Sequence, residues 1–547
     1  MSVVTTTILS DHAKVDTSSL ISVDIRREVN RIPSASVVLM DGDAAKRTFA
    51  LSNQAMFEPG KEIEIKMRYE SDTEDATLFK GPVVGHAVEA TPHGSLLRVD
   101  MKDASVKMSQ TRNSTVFRDQ TDDEVIRKVI QTAGLKVGRL HPTKLKHPEL
   151  VQYYCTDWDF ILSRADSQGL LVVADDGEIS VREIDLSGAS SHTFEYGLSE
   201  IFDFECQADA VHQYATVKSR GWSIEDQGPR QSSDAKAVVV SQGNLDGKKM
   251  AEALGFGPYG LTHPVPVAAE ELQAWADARL LRSRMSMVRG RLATTGFSDI
   301  APLDLVTIAG IGERFNGKVL VTGVCHRVDV GGWRTDIQFG LSPRHFSLED
   351  GIRDVPAAGL LPGVGGLQIG IVDAYTEDPD KQLRVKVTLP GLDSAAGSVW
   401  ARLATPDAGN ERGFFFRPES GDEVVVGFFN EDPRQPVILG GLYSSKNRPP
   451  PDFADLSEDN LNKGIVTRSG TKIAFVDDRN ASVLFETAGH QKVLLDDKNE
   501  IIEISDKHGN KITLDKDGIT VLSGKDLTLE AGGGGNVVIK GAKVDVK

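Results

Sequence analysis

The feature that most restricts the fold is a repeat over residues 464–547. Pairs of apolar residues one position apart recur nine times, as Ile473/Phe475, Val483/Phe485, Val493/Leu495, Ile502/Ile504, Ile512/Leu514, Ile519/Val521, Leu527/Leu529, Val537/Ile539 and Val544/Val546. The pairs start 7–10 residues apart, and turn residues such as Asp496-Asp497, Gly509-Asn510, Asp517-Gly518 and Gly532 to Gly535 lie between them. Side chains two apart on a strand share a face. Each unit therefore reads as a short strand with one apolar face, followed by a corner. Burying an apolar side chain is worth roughly 1.5–3 kcal/mol, so the repeat as a whole has roughly a few tens of kcal/mol at stake, before entropy, in covering that face. The segment contains no other element to cover it. One chain can coil on itself as a solenoid, or three chains can wrap together as a β-prism with the doublets on a shared axis. The repeat permits both.

The rest of the chain is also strand-rich. With 52 glycines and only 6% aromatic residues, the 547-residue sequence is turn-dense, and its length suggests several domains. Strand patterns fall at 23–26, 35–40, 62–68, 81–90 and 96–101. Thr121-Asp122-Asp123-Glu124 forms a capping box, and Val125, Ile126, Val129 and Ile130 follow at helical spacing. A second helix is expected from Thr156 to Gly169 and a longer one over 268–287, before strands return over 290–341. AAGLLPGVGG at 357–366 marks a first linker. Five strand patterns follow at 367–373, 383–389, 399–405, 423–429 and 437–442, a count and spacing that fit a small Greek-key barrel of the OB type. A second linker is expected over 447–463, around the three prolines Pro449 to Pro451.

Composition excludes several function classes. The formal net charge of -17 disfavours general nucleic-acid binding and anionic membrane surfaces. Cys155, Cys206 and Cys325 are too scattered for a disulfide framework or a zinc site. The N-terminus has no basic segment followed by an apolar core, and no run approaches a membrane span. The chain is thus expected to be made in the cytoplasm without a signal peptide. No nucleophile elbow, phosphate loop or zinc-protease motif is present. The acidic run Glu377-Asp378-Pro379-Asp380 lacks the glycine and closing glutamate of a calcium loop and reads as a turn. Asp515-Lys516-Asp517-Gly518 reads as a corner, and His490 and His508 form no His-x-His pair. Neither a metal nor a cofactor is expected.

Several stretches resemble one family. They are DPDKQ at 378–382 with LRVKVTLPGL after it, Val399-Trp400-Ala401-Arg402, RGFFF at 412–416, PESGDEV at 418–424, and DPRQPVILG at 432–440 followed by Leu442-Tyr443. Together these resemble the OB segment of VgrG-type spike proteins of type VI secretion systems and related phage-like contractile injection particles. Thr156-Asp157-Trp158-Asp159-Phe160, and Phe315-Asn316-Gly317-Lys318 through Val324-Cys325-His326, look like the family's hub. The resemblance implies a mainly β architecture: a hub of two barrel-like β domains with helical insertions at 1–356, an OB-fold domain at 367–446, and a three-chain β-helix needle at 464–547. It favours three chains over a solenoid, with Ile473 through Ile539 of the doublets on the trimer axis and a needle of about 40 Å at about 4.8 Å per strand. It further implies inner tube and baseplate proteins bound at the hub, a PAAR-like tip protein docked on Val544 and Val546, and a target membrane pierced mechanically. Only about 20 residues separate barrel from needle, so no enzyme domain is expected there. None is expected after Val546 either, one residue before the end of the sequence. An extracellular injection particle is expected, with a type VI spike as the alternative and an enzymatic effector as the contrasting class.

Overall fold

A computed structural model describes residues 4–546, apart from 93, 241, 350, 353, 393–396, 455 and 456. Thus Lys547, the last residue of the expected tip segment, and parts of the expected hub, barrel and second linker lie outside the described residues. The chain forms two compact units, residues 1–354 and 355–547.

The first unit is built on one 13-stranded sheet. Its N-terminal half includes strands Leu20–Glu28, Ser34–Met40, Glu62–Tyr69, Ala76–Thr91 and Gly94–Lys102, and its C-terminal half includes Ile201–Ala208, Val288–Thr295, Gly317–Asp329 and Gly332–Phe339. The two are stitched together where Gly317–Asp329 pairs antiparallel with Leu20–Glu28, Cys325 lying opposite Arg26. Alternation sends one side of each strand inward, giving each half its own core. Ile25, Val37, Ile65 and Val99 belong to the first, and Leu292, Val306, Val321 and Ile337 to the second.

Among the described residues four α-helices are inserted: α1 (Asp122–Thr132), α2 (Asp157–Ser167), α3 (Gly247–Ala253) and α4 (Ala269–Met285). At the start of α1 the Glu124 carboxylate accepts the Thr121 N–H at 2.9 Å, and Val125, Ile126, Val129 and Ile130 are buried. The Thr156 hydroxyl caps α2 by accepting the Asp159 N–H at 3.0 Å. α3 was not predicted: it has seven residues, and GKKMAEA offers no apolar stripe.

Ions, as well as apolar contacts, hold these helices together. The buried Asp122 carboxylate accepts from Arg164 Nε at 2.6 Å and Gln168 Nε2 at 3.1 Å, and lies 3.2 Å from His147 Nε2. Arg164 reaches on to Glu271 of α4 at 3.1 Å. Burial by itself would raise the Asp122 carboxyl, but the bonds from His147 and Arg164 outweigh it and hold the group below the usual carboxylate range.

One buried histidine gives the first unit a pH dependence. His326 is fully buried, with Nδ1 3.1 Å from the Thr335 hydroxyl. Burial, helped by the Arg27 charge, pushes its pKa from 6.5 down to about 3. In the unfolded chain it takes up a proton near pH 6.5, while in the fold it resists protonation until about pH 3. Its contribution is therefore complete above pH 6.5 and is lost as pH falls toward 3. Between pH 7 and pH 4.5 this should remove about 2–3 kcal/mol. Urea unfolding at the two pH values is expected to show a loss that shrinks by about that amount in His326→Gln. An equal loss in both proteins would contradict the assignment.

The second unit begins with a closed five-stranded barrel of β1 (Gln368–Val372), β2 (Val385–Thr388), β3 (Val399–Leu403), β4 (Glu423–Phe428) and β5 (Pro436–Gly441), in the order β1-β2-β3-β5-β4. Val372, Val385, Val387, Ala401, Val424, Val426 and Ile438 fill it. A seven-stranded antiparallel meander follows: β6 (Asn462–Val466), β7 (Lys472–Val476), β8 (Ser482–Glu486), β9 (Lys492–Asp496), β10 (Ile501–Ser505), β11 (Lys511–Asp515) and β12 (Gly518–Leu522). The repeat predicted a strand at every doublet, but Leu527/Leu529, Val537/Ile539 and Val544/Val546 lie outside strands. After Leu522 the chain turns at Ser523-Gly524, where the Gly524 N–H is taken by the Asn510 side chain at 3.0 Å. A ladder needs a neighbouring strand, and among the described residues none pairs with the last three doublets.

Candidate functional site

The meander's register decides what its side chains can do. Ile473 lies opposite Phe485, Phe485 opposite Val493, Val493 opposite Ile504, Ile504 opposite Ile512 and Ile512 opposite Val521. Beside that column, Phe475 faces Val483, Val483 faces Leu495, Leu495 faces Ile502, Ile502 faces Leu514 and Leu514 faces Ile519. Neighbouring strands lie about 4.8 Å apart, so two continuous apolar columns run side by side along one face. The first six doublets are thereby brought together.

That face is open. Phe475, Phe485, Ile502 and Ile504 each keep 42–47% of their surface exposed, and Ile519 keeps 71%. A bare apolar strip of this kind marks an interaction surface. The reverse face is mixed: Ala474, Leu484 and Leu494 lie opposite one another along it, flanked by charge pairs of Lys472 to Glu486 at 3.4 Å and Lys511 to Glu503 at 2.6 Å. Gly509 (φ +85) and Gly518 (φ +131) sit at corners where the chain reverses, in backbone regions that favour glycine. Beyond the meander, Leu527, Leu529, Val537, Ile539, Val544 and Val546 are all more than half exposed.

Sequence reasoning missed one member of the first column. Ile465 of β6 lies opposite Ile473, but its strand mate across the column is Lys463, opposite Phe475. With a lysine in one of the two places, the doublet rule passes over the strand. The barrel has outward apolar residues of its own, with Leu367, Ile369, Ile371 and Leu439 43–64% exposed. Outward apolar residues on a barrel strand have the same period as inward ones, so sequence alone does not separate them.

No chemistry gathers at this face. His490 Nδ1 pairs with Glu486 at 3.1 Å. Among the described residues no group of three or more His, Cys, Asp or Glu is placed to hold a metal ion, and Cys155, Cys206 and Cys325 are free thiols. The acidic run of the barrel is a turn built around Asp378. Its carboxylate accepts backbone N–H groups of Asp380, Gln382 and Arg384 at 2.9–3.1 Å and the Arg384 guanidinium at 2.7 Å. The Arg384 bond, followed by these backbone bonds, holds the carboxyl far below its usual range.

Comparison with known proteins covers the chain in three parts. A family model described as the Alg8 N-terminal domain matches residues 1–329. The type VI secretion system/phage-baseplate injector OB domain matches 368–443, and the phage baseplate V C-terminal trimerisation domain matches 482–547. The actin cross-linking toxin VgrG1 of Vibrio cholerae is 40% identical over 75 residues, 13% of this chain and 7% of that protein. The type VI secretion system spike protein VgrG1b of Pseudomonas aeruginosa is 26% identical over 258 residues, 44% of this chain and 33% of that protein. The matches thus span a third or less of these relatives' length. A solved tail protein from Neisseria meningitidis aligns with a TM-score of 0.47 and 12% identity over 64% of this chain and 98% of its own.

Proposed function

The chain belongs to the Alg8 N-terminal domain family through residues 1–329, its barrel and needle are those of a VgrG-type spike, and from that premise we propose that it is the structural hub and spike of a contractile injection particle. The observation that carries this reading is the pair of apolar columns with no cover from their own chain. Two further copies supply that cover around a threefold axis, and the doublets from Ile473 to Ile539 face it. A β-prism closed by three chains leaves few free strand edges along the shaft. It also gives the last three doublets the neighbours that one chain lacks. The result is a stiff point, and the work it does is mechanical: sheath contraction drives it through a target membrane.

In this division of labour the unit at 1–354 binds inner tube and baseplate proteins. The chain is not an enzyme on this reading. The toxin named above matches over 7% of its length, which gives no ground for carrying its activity across. An extracellular, phage-tail-like particle is the favoured setting. The second reading is the tip of a type VI system, and the spike title of the Pseudomonas relative supports it. No helix of the described chain is long and apolar enough to cross a membrane.

At the needle's far end Val544 and Val546 dock a PAAR-like tip protein, which seals the last apolar layer. Truncation after Gly541 is expected to abolish capture of that protein in a pull-down while the trimer survives. Full capture by the truncated trimer would refute the docking site.

A further inference from the structure

The barrel has two chemically different outer faces. Leu367, Ile369, Ile371 and Leu439, on and beside β1, β4 and β5, make the apolar one, and Leu367 and Leu439 meet over Gly427. That side suits neighbouring copies. The outer side of β2 and β3 is cationic and aromatic instead. Lys386 lies directly opposite Trp400, with Nζ 5.1 Å from the ring centroid. Two residues along β3, about 7 Å away, Arg402 places its guanidinium 5.9 Å from the Phe429 ring. Phe429 opens the loop between β4 and β5 and is 52% exposed. Arg384, at the end of the loop between β1 and β2, stands 5.8 Å from Trp400.

Position and chemistry agree. In OB barrels the outer face of strands 2 and 3, with the loops joining strands 1 to 2 and 4 to 5, is the surface that takes oligonucleotides and oligosaccharides. Arg384 is committed to Asp378 and Asp380, Arg412 to Asp407 and Arg434 to Asp432. Lys386 and Arg402 have no carboxylate within 4.0 Å among the described residues, so their charges are available to a ligand. Asp373 is held below the usual carboxylate range first by the Ala374 N–H and then by the Ser398 hydroxyl it accepts at 2.9 Å, with the Lys386 charge adding to them.

The geometry points to this stripe as a binding site for an anionic oligosaccharide, with sugar C–H faces stacked on Trp400 and Phe429 and acidic substituents met by Lys386 and Arg402. Charge balance selects the sugar over a nucleic acid. Residues 367–446 carry 12 Asp and Glu against 8 Lys and Arg, which repels a backbone with a charge at every unit. An oligosaccharide can satisfy two cations and two aromatic faces with few charges. The site stands on the barrel alone and does not depend on the spike reading.

The test is titration calorimetry on the full chain, with a short hyaluronan oligosaccharide, charged only at every second sugar, as the acidic probe, a malto-oligosaccharide as the neutral control and an oligothymidylate as the nucleic-acid control. The acidic sugar is expected to bind in a salt-dependent way. The double variant Lys386→Gln/Arg402→Gln should weaken it by about tenfold or more, roughly one good charged contact, and Trp400→Leu should weaken it with little change in salt dependence. Light scattering on the variants, expected to match wild type, separates loss of this site from loss of the assembly. No binding by wild type, equal binding by the double variant, or tighter binding of the oligothymidylate would each overturn the proposal.

Discussion

Ile504→Asp is expected to abolish the trimer. Ile504 sits in the middle of the first apolar column, between Val493 and Ile512. In a threefold prism the substitution sets three carboxylates close to one axis. Each would lose its water without gaining a partner, at a cost of roughly several kcal/mol, and the three repel one another. The removed isoleucines forfeit roughly a further 1.5–3 kcal/mol each. Against a single-chain solenoid the same change would hit one site, and the protein would keep its mass. Light scattering separates the two: the trimer account requires a large loss of the assembled species, while Glu503→Gln, on the reverse face, should leave it in place. An Ile504→Asp protein that assembles like wild type would remove the axis from the account.

Asp122→Ala is expected to cost the first unit about 3–5 kcal/mol, the usual penalty for breaking a buried ion pair by removing one partner. Of its carboxylate partners Arg164 would retain Glu271 alone, beside its 3.3 Å approach to His147 Nε2, while His147 and Gln168 would lose their shared acceptor. Asp122→Asn keeps an acceptor and should cost less. Trp158, buried on α2, offers a fluorescence signal for urea unfolding. A midpoint unchanged in Asp122→Ala would show that the network is energetically idle.

The same residue shows where sequence reading stops. In the sequence Asp122 reads as part of the capping box that opens α1, and the structure places it in the first turn, where the helix dipole favours an acid. Its partners are 25, 42 and 46 residues away in sequence, and no local pattern joins them. The elements themselves were legible wherever a period was strong. Helices α1 and α2 and the five barrel strands each carry an apolar stripe or alternation, while α4 buries Leu272, Ala276 and Leu280 at helical spacing but has apolar residues all round, and the short α3 carries neither signal. The doublets likewise announced strands β7 to β12. What they left open was the column arrangement, because that depends on register, and register is set by the length and hydrogen bonding of each corner. Ile465 was missed because Lys463 breaks its doublet. The cationic stripe was missed because Lys386, Arg402 and Phe429 come from three separate segments that only barrel closure brings side by side.

The account rests on two further copies covering the apolar columns, and the most direct test is the mass of the unmodified protein. Sedimentation equilibrium at micromolar concentration is expected to return three times the 59.2 kDa of the chain. A stable, soluble species of a single chain's mass, with Phe475, Phe485 and Ile504 left in water, would contradict it.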